Sequence, residues 1–298
     1  MLARTLFAAA IVVLFAGSWI GKASLRKETA VPDPPSTEAP RRIVSMAPSV
    51  TEMLFALGLG DRVVGATRYC SYPPEVAELP RVGGHLDPNF EAIVRLRPDL
   101  VVLLSEQQDL AESLGKLGLR SATVNDDSVE QILDSIASLG ERCHAKALAE
   151  ELVRDLRTRM DAVRQRTADL PKPTVLVVVD RALDAGTIQD TYMAGRDDYF
   201  EHLIELAGGR NAYRGPAIPY PVVSVEGIIR ISPEVIIDLA AGRIPEHTAQ
   251  AIADWQRFPQ IDAVAQQRIY ALSGDYAMIP GPRFVLLLEA LAERIHPE

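Results

Sequence analysis

Basic side chains are in short supply in this sequence. Lys and Arg number 31 against 40 Asp and Glu, a formal net charge of −9. That balance argues against a nucleic-acid partner, which needs a basic stripe to neutralise phosphates. Cysteine is scarcer still, with only Cys70 and Cys143. Two cysteines build no Cys-rich zinc cage, although an oxidising compartment would let Cys70 and Cys143 form one disulfide. Catalytic signatures are missing too. There is no G-x-S-x-G elbow, no P-loop, no H-E-x-x-H and no G-x-G-x-x-G between a strand and a helix; "GLGDRVVG" (58–65, with Asp61) has glycines but leads into a strand. The histidines His85, His144, His202, His247 and His296 are scattered and bring no nucleophile together with a base. No enzyme and no resident cofactor or metal are expected; an exported α/β enzyme is kept only as the alternative of another class.

The apolar run that opens the chain, "LFAAAIVVLFAGSWI" after Arg4, is shorter than the roughly twenty residues of a membrane span. It fits the core of a signal peptide, with small residues Gly21 and Ala23 before Ser24 and a second option at Ala16/Ser18. Residues 1–23 are therefore expected to be a signal peptide, with an uncleaved membrane anchor as the open alternative. No Cys follows the run, so a lipid anchor is not expected. Residues 24–40 are polar and carry Pro32, Pro34, Pro35 and Pro40, an extended tether. The body that follows is expected outside the cytoplasm.

That body alternates strand and helix patterns, which argues for an α/β fold with mostly parallel sheets. In an N-terminal lobe, 41–127, "RIVSM", "DRVVGAT", "DLVVLL" and "LRSATVN" read as strands. A helix is expected from Asp87 as N-cap and Pro88 as first residue, stopped by Pro98. Residues 128–170 form an inter-lobe segment, where "AKALAEELVRDLRTRMDAVRQRTADL" keeps a helical period without Gly or Pro. From 171 to 298 the strand–helix pattern restarts in a C-terminal lobe. Part of it repeats: "EAIVRLRPDLVV" (91–102) returns as "EGIIRISPEVII" (226–237), and "EMLFALGLG" (52–60) as "EHLIELAGG" (201–209). Two similar lobes joined by one long helix are expected, with a ligand cleft between them.

Aromatic residues make up only 6 % of the chain, yet tyrosines gather in the expected loops. Tyr69 and Tyr72 bracket Cys70; Tyr192 lies in "DTYMAG", Tyr220 in "IPYPVVS" and Tyr276 in "GDYAMIP". Tyrosine offers flat apolar area with a polar tip, which suits a large planar or macrocyclic ligand. His85, in "GGHLDP", sits at the carboxyl edge of a strand unit and is a candidate contact to such a ligand or its metal.

The blocks "RIVSMAPSVTEMLFALGLG", "SYPPE", "PNFEAIVRLRPDLVV" and "PYPVVSVEGIIRISPEVII" resemble the ABC-importer binding proteins for vitamin B12, ferric siderophores and haem, over about residues 41–296. The likeness is nearest to the B12-binding branch. It implies a bilobal, monomeric periplasmic receptor with one rigid inter-lobe helix, delivering a metal chelate to an importer permease and its ATPase subunits. The cargo it implies is a cobalt corrinoid, with a ferric siderophore or haem as the alternative. Carried over by motif, the ligand-binding positions are Tyr69, Tyr192, Tyr220 and Asp275, the last beside Tyr276. His85 replaces the family's aromatic before the "N-x-E" helix, where it would stack or act as an axial ligand to a chelated metal. Leu104 replaces a further aromatic, and the family's Arg after Asp275 falls near Ile279. Glu91 and Glu226 match the surface glutamates, one per lobe, that dock on permease arginines. Both sit in a first helical turn, where the dipole favours a carboxylate.

Overall fold

A computed structural model describes residues 38–183, 188, 191–196, 199–239 and 246–297. The expected signal peptide and most of the tether lie outside the described residues. Contacts separate the chain into two units, residues 38–126 with 131–153, and residues 127–130 with 154–297.

In the first unit the apolar runs become β1 (Ile43–Ser45), β2 (Val63–Ala66), β3 (Leu100–Leu104) and β4 (Ser121–Val124). They pair in the order β2-β1-β3-β4, all parallel. Parallel strands are covered on both faces, and all five residues of β3 are buried. Val44, Val101 and Leu103 face Ile93, Leu110 and Leu114 on one side of this sheet. Burying each such side chain is worth about 1.5–3 kcal/mol. The covering helices are α1 (Pro48–Ala56), α2 (Phe90–Arg95) and α3 (Gln108–Lys116), followed by α4 (Val129–Arg142). Leu110 and Leu114 dock α3, a helix the sequence reading did not anticipate.

α5 (Lys146–Thr167) is one uninterrupted helix of 22 residues, about 33 Å at 1.5 Å per residue. Its residues through Val153 belong to the first unit and those from Arg154 onward to the second. In the second unit it is tied by Arg157 to Glu130 at 2.8 Å and by Arg159, bidentate at 2.9 and 2.8 Å, to Glu289.

The second unit contains β5 (Thr174–Asp180), β6 (Thr191–Met193), β7 (Arg210–Asn211), β8 (Val222–Val223), β9 (Val235–Asp238) and β10 (Ile269–Ala271). β7, β5, β9 and β10 pair in parallel in that order, the same plan as β2-β1-β3-β4. The other end of the β5 edge that carries β7 takes β6, antiparallel, and β6 takes β8, also antiparallel. The second sheet is therefore mixed. Its helices are α6 (Tyr199–Leu206), α7 (Val225–Ile231), α8 (Glu246–Trp255), α9 (Asp262–Ala265) and α10 (Phe284–Ile295).

The repeat seen in sequence is kept in the backbone, residue for residue. α2 is capped by Asn89, whose side chain accepts from Ala92 N–H, and α7 by Ser224, which accepts from Gly227 N–H. Both helices run into a left-handed residue, Arg97 at φ 46° and Ser232 at φ 45°. Ile93 and Ile228 are fully buried, and β3 and β9 begin at Leu100 and Val235. Each of these pairs is separated by the spacing that relates Glu91 to Glu226. The expected N-cap at Asp87 is corrected to Asn89. Asp87 is instead paired with Arg68, and Pro88 forms a bridge with Gly83 outside the helix.

At the carboxyl ends of β5 and β9 lies a dry polar cluster. Arg181 donates Nε to Asp238 at 2.8 Å and Nη1 to Asp254 at 3.0 Å, with all three side chains at 0–1 % exposure. Trp255 Nε1 donates to the same Asp238 oxygen at 2.8 Å, and Gln250 donates to Asp254 at 2.7 Å. The cluster fastens α8 to the sheet.

Candidate functional site

The first unit builds a small shelf from two loops. Arg68 N–H donates to Gly83 O at 2.9 Å, and the Arg68 guanidinium pairs with Asp87, so residues 67–72 and 83–89 are held together. A Cβ on Gly84 would meet the Asp87 carboxylate and come within 3.0 Å of the Tyr69 ring, so the glycine gives that ring room to lie close over the backbone. The Arg68 guanidinium stands 5.8 Å from the centre of the Tyr69 ring. His85 follows at once and is half-buried. Burial pulls its imidazole below the ordinary value of 6.5, opposed in part by the Glu106 charge. It is thus neutral around pH 7, with a lone pair to offer. Tyr72 is 40 % exposed.

Beneath the shelf, the Cys70 sulfur lies 3.1 Å from the hydroxyls of Thr51 and Thr67, while Arg81 donates to the Thr67 and Cys70 carbonyls at 3.0 Å. Cys143 is buried elsewhere in the unit, its carbonyl accepting from Arg62 at 2.8 Å. Both cysteines are free thiols, so the expected disulfide is not formed. Burial raises both thiol pKa values, that of Cys143 to about 11. Cys70 is a packing residue that fixes the turn carrying Tyr69.

In the second unit, Tyr192 on β6 and Tyr220 just before β8 sit on segments laced by their backbones. Gly195 N–H donates to Pro219 O at 2.7 Å, Arg196 N–H to Ile218 O at 3.1 Å and Met193 N–H to Pro221 O at 3.1 Å. A side chain at Gly195 would collide with the Ile218 carbonyl. Buried Asn211 donates its amide to the Gly195 carbonyl and accepts from Tyr213 N–H at 3.0 Å, bracing the lace from β7. Tyr220 meets Phe200 of α6 edge-on, with ring centres 6.3 Å apart at 77°. Tyr192 and Tyr220 are each half-buried.

Asp275 and Tyr276 stand on a separate 3-10 turn, Asp275–Met278, with the Tyr276 ring folded over Gly274. Asp275 accepts from Arg283 at 2.7 Å, and Arg283 is only 13 % exposed. The position near Ile279, where the resemblance implied an arginine, has none, and Asp275 is paired with Arg283 instead. Its signal was a lone Arg after "PGP", eight residues beyond Asp275. Leu104, expected to stand in for an aromatic, is buried at the end of β3 and offers no stacking surface.

The two glutamates of the repeat are exposed but differently engaged. Glu91 accepts from Arg95, one turn on, at 2.7 Å, with side chains 83 % and 74 % exposed. Glu226 is held below the ordinary carboxylate value by its own backbone N–H and then by the Ser224 hydroxyl. Among the described residues no group of three or more His, Cys, Asp or Glu could hold a metal ion, and no helix is long and apolar enough to cross a membrane.

With this geometry in place, the likeness to known proteins is specific. The periplasmic binding protein family matches residues 43–276. The uncharacterized ABC transporter substrate-binding lipoprotein YvrC of Bacillus subtilis is 29 % identical over 264 residues, covering 87 % of this chain and 81 % of that protein. A vitamin B12-binding protein of Photorhabdus laumondii is 29 % identical over 261 residues, covering 87 % and 89 %. The periplasmic haem-binding protein RhuT of Roseiflexus, solved in its apo form, superposes with a TM-score of 0.70 at 26 % identity, covering 86 % of this chain and 99 % of that one. YvrC is named as a substrate-binding protein of an ABC transporter, and the other two are named for what they bind, vitamin B12 or haem, rather than for a reaction. The chain belongs to the periplasmic binding protein family.

Proposed function

We propose that the protein is an exported receptor that captures a corrinoid metal chelate and delivers it to an ABC importer. The observation that carries this reading is the matched seating of aromatic rings in the two units. Tyr69 lies over Gly84 beside neutral His85, and Tyr192 and Tyr220, both half-buried, stand on laced segments. Flat, preorganised rings cost little entropy on binding and suit a wide conjugated macrocycle. His85 then contacts the metal axially or stacks in place of a ring, and Asp275 with Tyr276 reaches polar groups at the ligand's rim. Glu91 and Glu226 dock the receptor, as a monomer, on a permease and its ATPase subunits. The leader at 1–23 directs export or holds the chain at the membrane.

A haem or ferric siderophore is the second reading, favoured by the neutral imidazole of His85, a good ligand to iron as well as cobalt. Calorimetric titration with cobinamide, cyanocobalamin, haem and a ferric siderophore separates the two. We expect saturable binding of a corrinoid; no heat with either corrinoid, and saturation by haem or the siderophore, overturns the first reading.

A further inference from the structure

On the opposite edge of the second sheet from Tyr192 is an open pocket of 1120 Å³ that the ligand reading does not use. Its floor is the amino edge of the parallel strands: Pro173, Arg210, Glu234 and Arg268 stand at or just before the starts of β5, β7, β9 and β10. Its walls are the ends of α5 at Thr167 and α10 at Ile295.

The charge of this pocket runs against that of the chain. Arg166, Lys172, Arg210 and Arg268 line it, against the carboxylates of Glu234 and Glu293. Both carboxylates are already engaged. Glu234 accepts from Thr174 N–H at 2.7 Å and from the Thr174 hydroxyl at 3.1 Å, and Glu293 pairs with Arg294. The carbonyl ends of the two helices add about half a negative charge each, short of cancelling the surplus. Among the described residues a positive balance remains, in a protein whose net charge is −9. Two of the guanidinium groups are also held in place. Arg210 Nε donates to Lys172 O at 2.9 Å and Arg268 Nη2 to Ile295 O at 2.7 Å, which fixes each fork while leaving further N–H groups for a ligand. Fixed planar forks beside a lysine match the oxygens of a phosphate, bidentate from arginine and as a point charge from lysine.

We propose that this pocket binds a phosphate-bearing anion, independently of the cargo held by the tyrosine loops. The same chemistry is presented by a soluble polyphosphate and by an anionic phospholipid headgroup. The test titrates the full chain calorimetrically with pyrophosphate and with short-chain phosphatidylglycerol, and co-sediments it with vesicles of phosphatidylglycerol against phosphatidylcholine. An Arg166→Gln/Lys172→Gln variant and a triple variant adding Arg210→Gln are run alongside, with unfolding midpoints measured to confirm that both fold. We expect saturable binding, weakened by at least about ten-fold in the double variant and further in the triple, and weakened by salt. Saturation by pyrophosphate identifies a free anion, and binding confined to phosphatidylglycerol identifies a headgroup. Flat titrations with every probe, or equal affinity in wild type and both variants, overturn the proposal.

Discussion

Tyr220 shows how much of the candidate site depends on single rings. Its ring meets Phe200 in an edge-to-face arrangement, and its backbone neighbours are pinned to residues 193–196. Such support restricts the ring before any ligand arrives, which is the condition under which aromatic area converts into affinity. Tyr220→Ala, and separately Tyr192→Ala, are expected to weaken ligand binding by at least about ten-fold, or about 1.4 kcal/mol. Tyr220→Phe keeps most of the affinity, because it keeps the ring. Calorimetry with the cargo identified by titration measures both; unchanged affinity in the alanine variants means that the ligand lies elsewhere. The tyrosines themselves were legible as loop residues rich in flat area. The bracing that makes them useful was not. Gly195 and Arg196 meet the Pro219 and Ile218 carbonyls more than twenty positions on, the Asn211 side-chain amide reaches back to the Gly195 carbonyl, and no local pattern of residues announces such contacts. The same holds for Arg283, found only when the turn brings it to Asp275.

At the scale of elements, the Arg181 cluster holds the second sheet's carboxyl edge to α8. Among the described residues, Arg181 is paired with both Asp238 and Asp254, all three side chains away from water. Removing the guanidinium takes an ion-pair partner from each buried carboxylate, and Arg181→Met is expected to cost about 3–5 kcal/mol of unfolding free energy. Asp254→Asn breaks only one of the two pairs and leaves Arg181 on Asp238, and its cost should be clearly smaller. Urea unfolding of the two variants measures the difference; equal losses would mean that volume, not charge, dominates at this site. The helix–Pro–strand units around Ile93 and Ile228 were legible because a proline punctuates them and apolar runs fix both elements. The cap at Asn89 was misplaced by two residues, since sequence does not show that Asp87 is spent on Arg68. β6 and β8 were missed for a different reason. Strands of two or three residues carry too few side chains to show alternation, and they are held by pairing to β5 rather than by propensity.

For the molecule as a whole, the repeat supplies two helices, each with an exposed first-turn glutamate on a matched cap. Equivalent contacts are what a two-fold symmetric partner requires. The two carboxylates start from different states, however. Glu91 is shared with Arg95, whereas Glu226 is turned toward the Ser224 hydroxyl and its own backbone N–H. In the docking proposed above, a permease arginine replaces a side-chain cation's grip on one and helix-end donors on the other. Exposed pairs of this kind are individually weak and screened by salt, so the free receptor loses little when either is exchanged. Neither carboxylate belongs to the tyrosine loops. Reversing both, Glu91→Lys with Glu226→Lys, should leave ligand affinity within about two-fold, since rim charges far from a site act mainly on association. Uptake of the labelled cargo through the cognate importer should be abolished, and each single reversal should fall between. Because docking rests on paired charges, the wild-type receptor's affinity for the detergent-solubilised permease should also decline as salt is raised, and the double variant should show no such dependence. Uptake that survives the double reversal would remove the two glutamates from the docking surface and leave the repeat with a purely structural role.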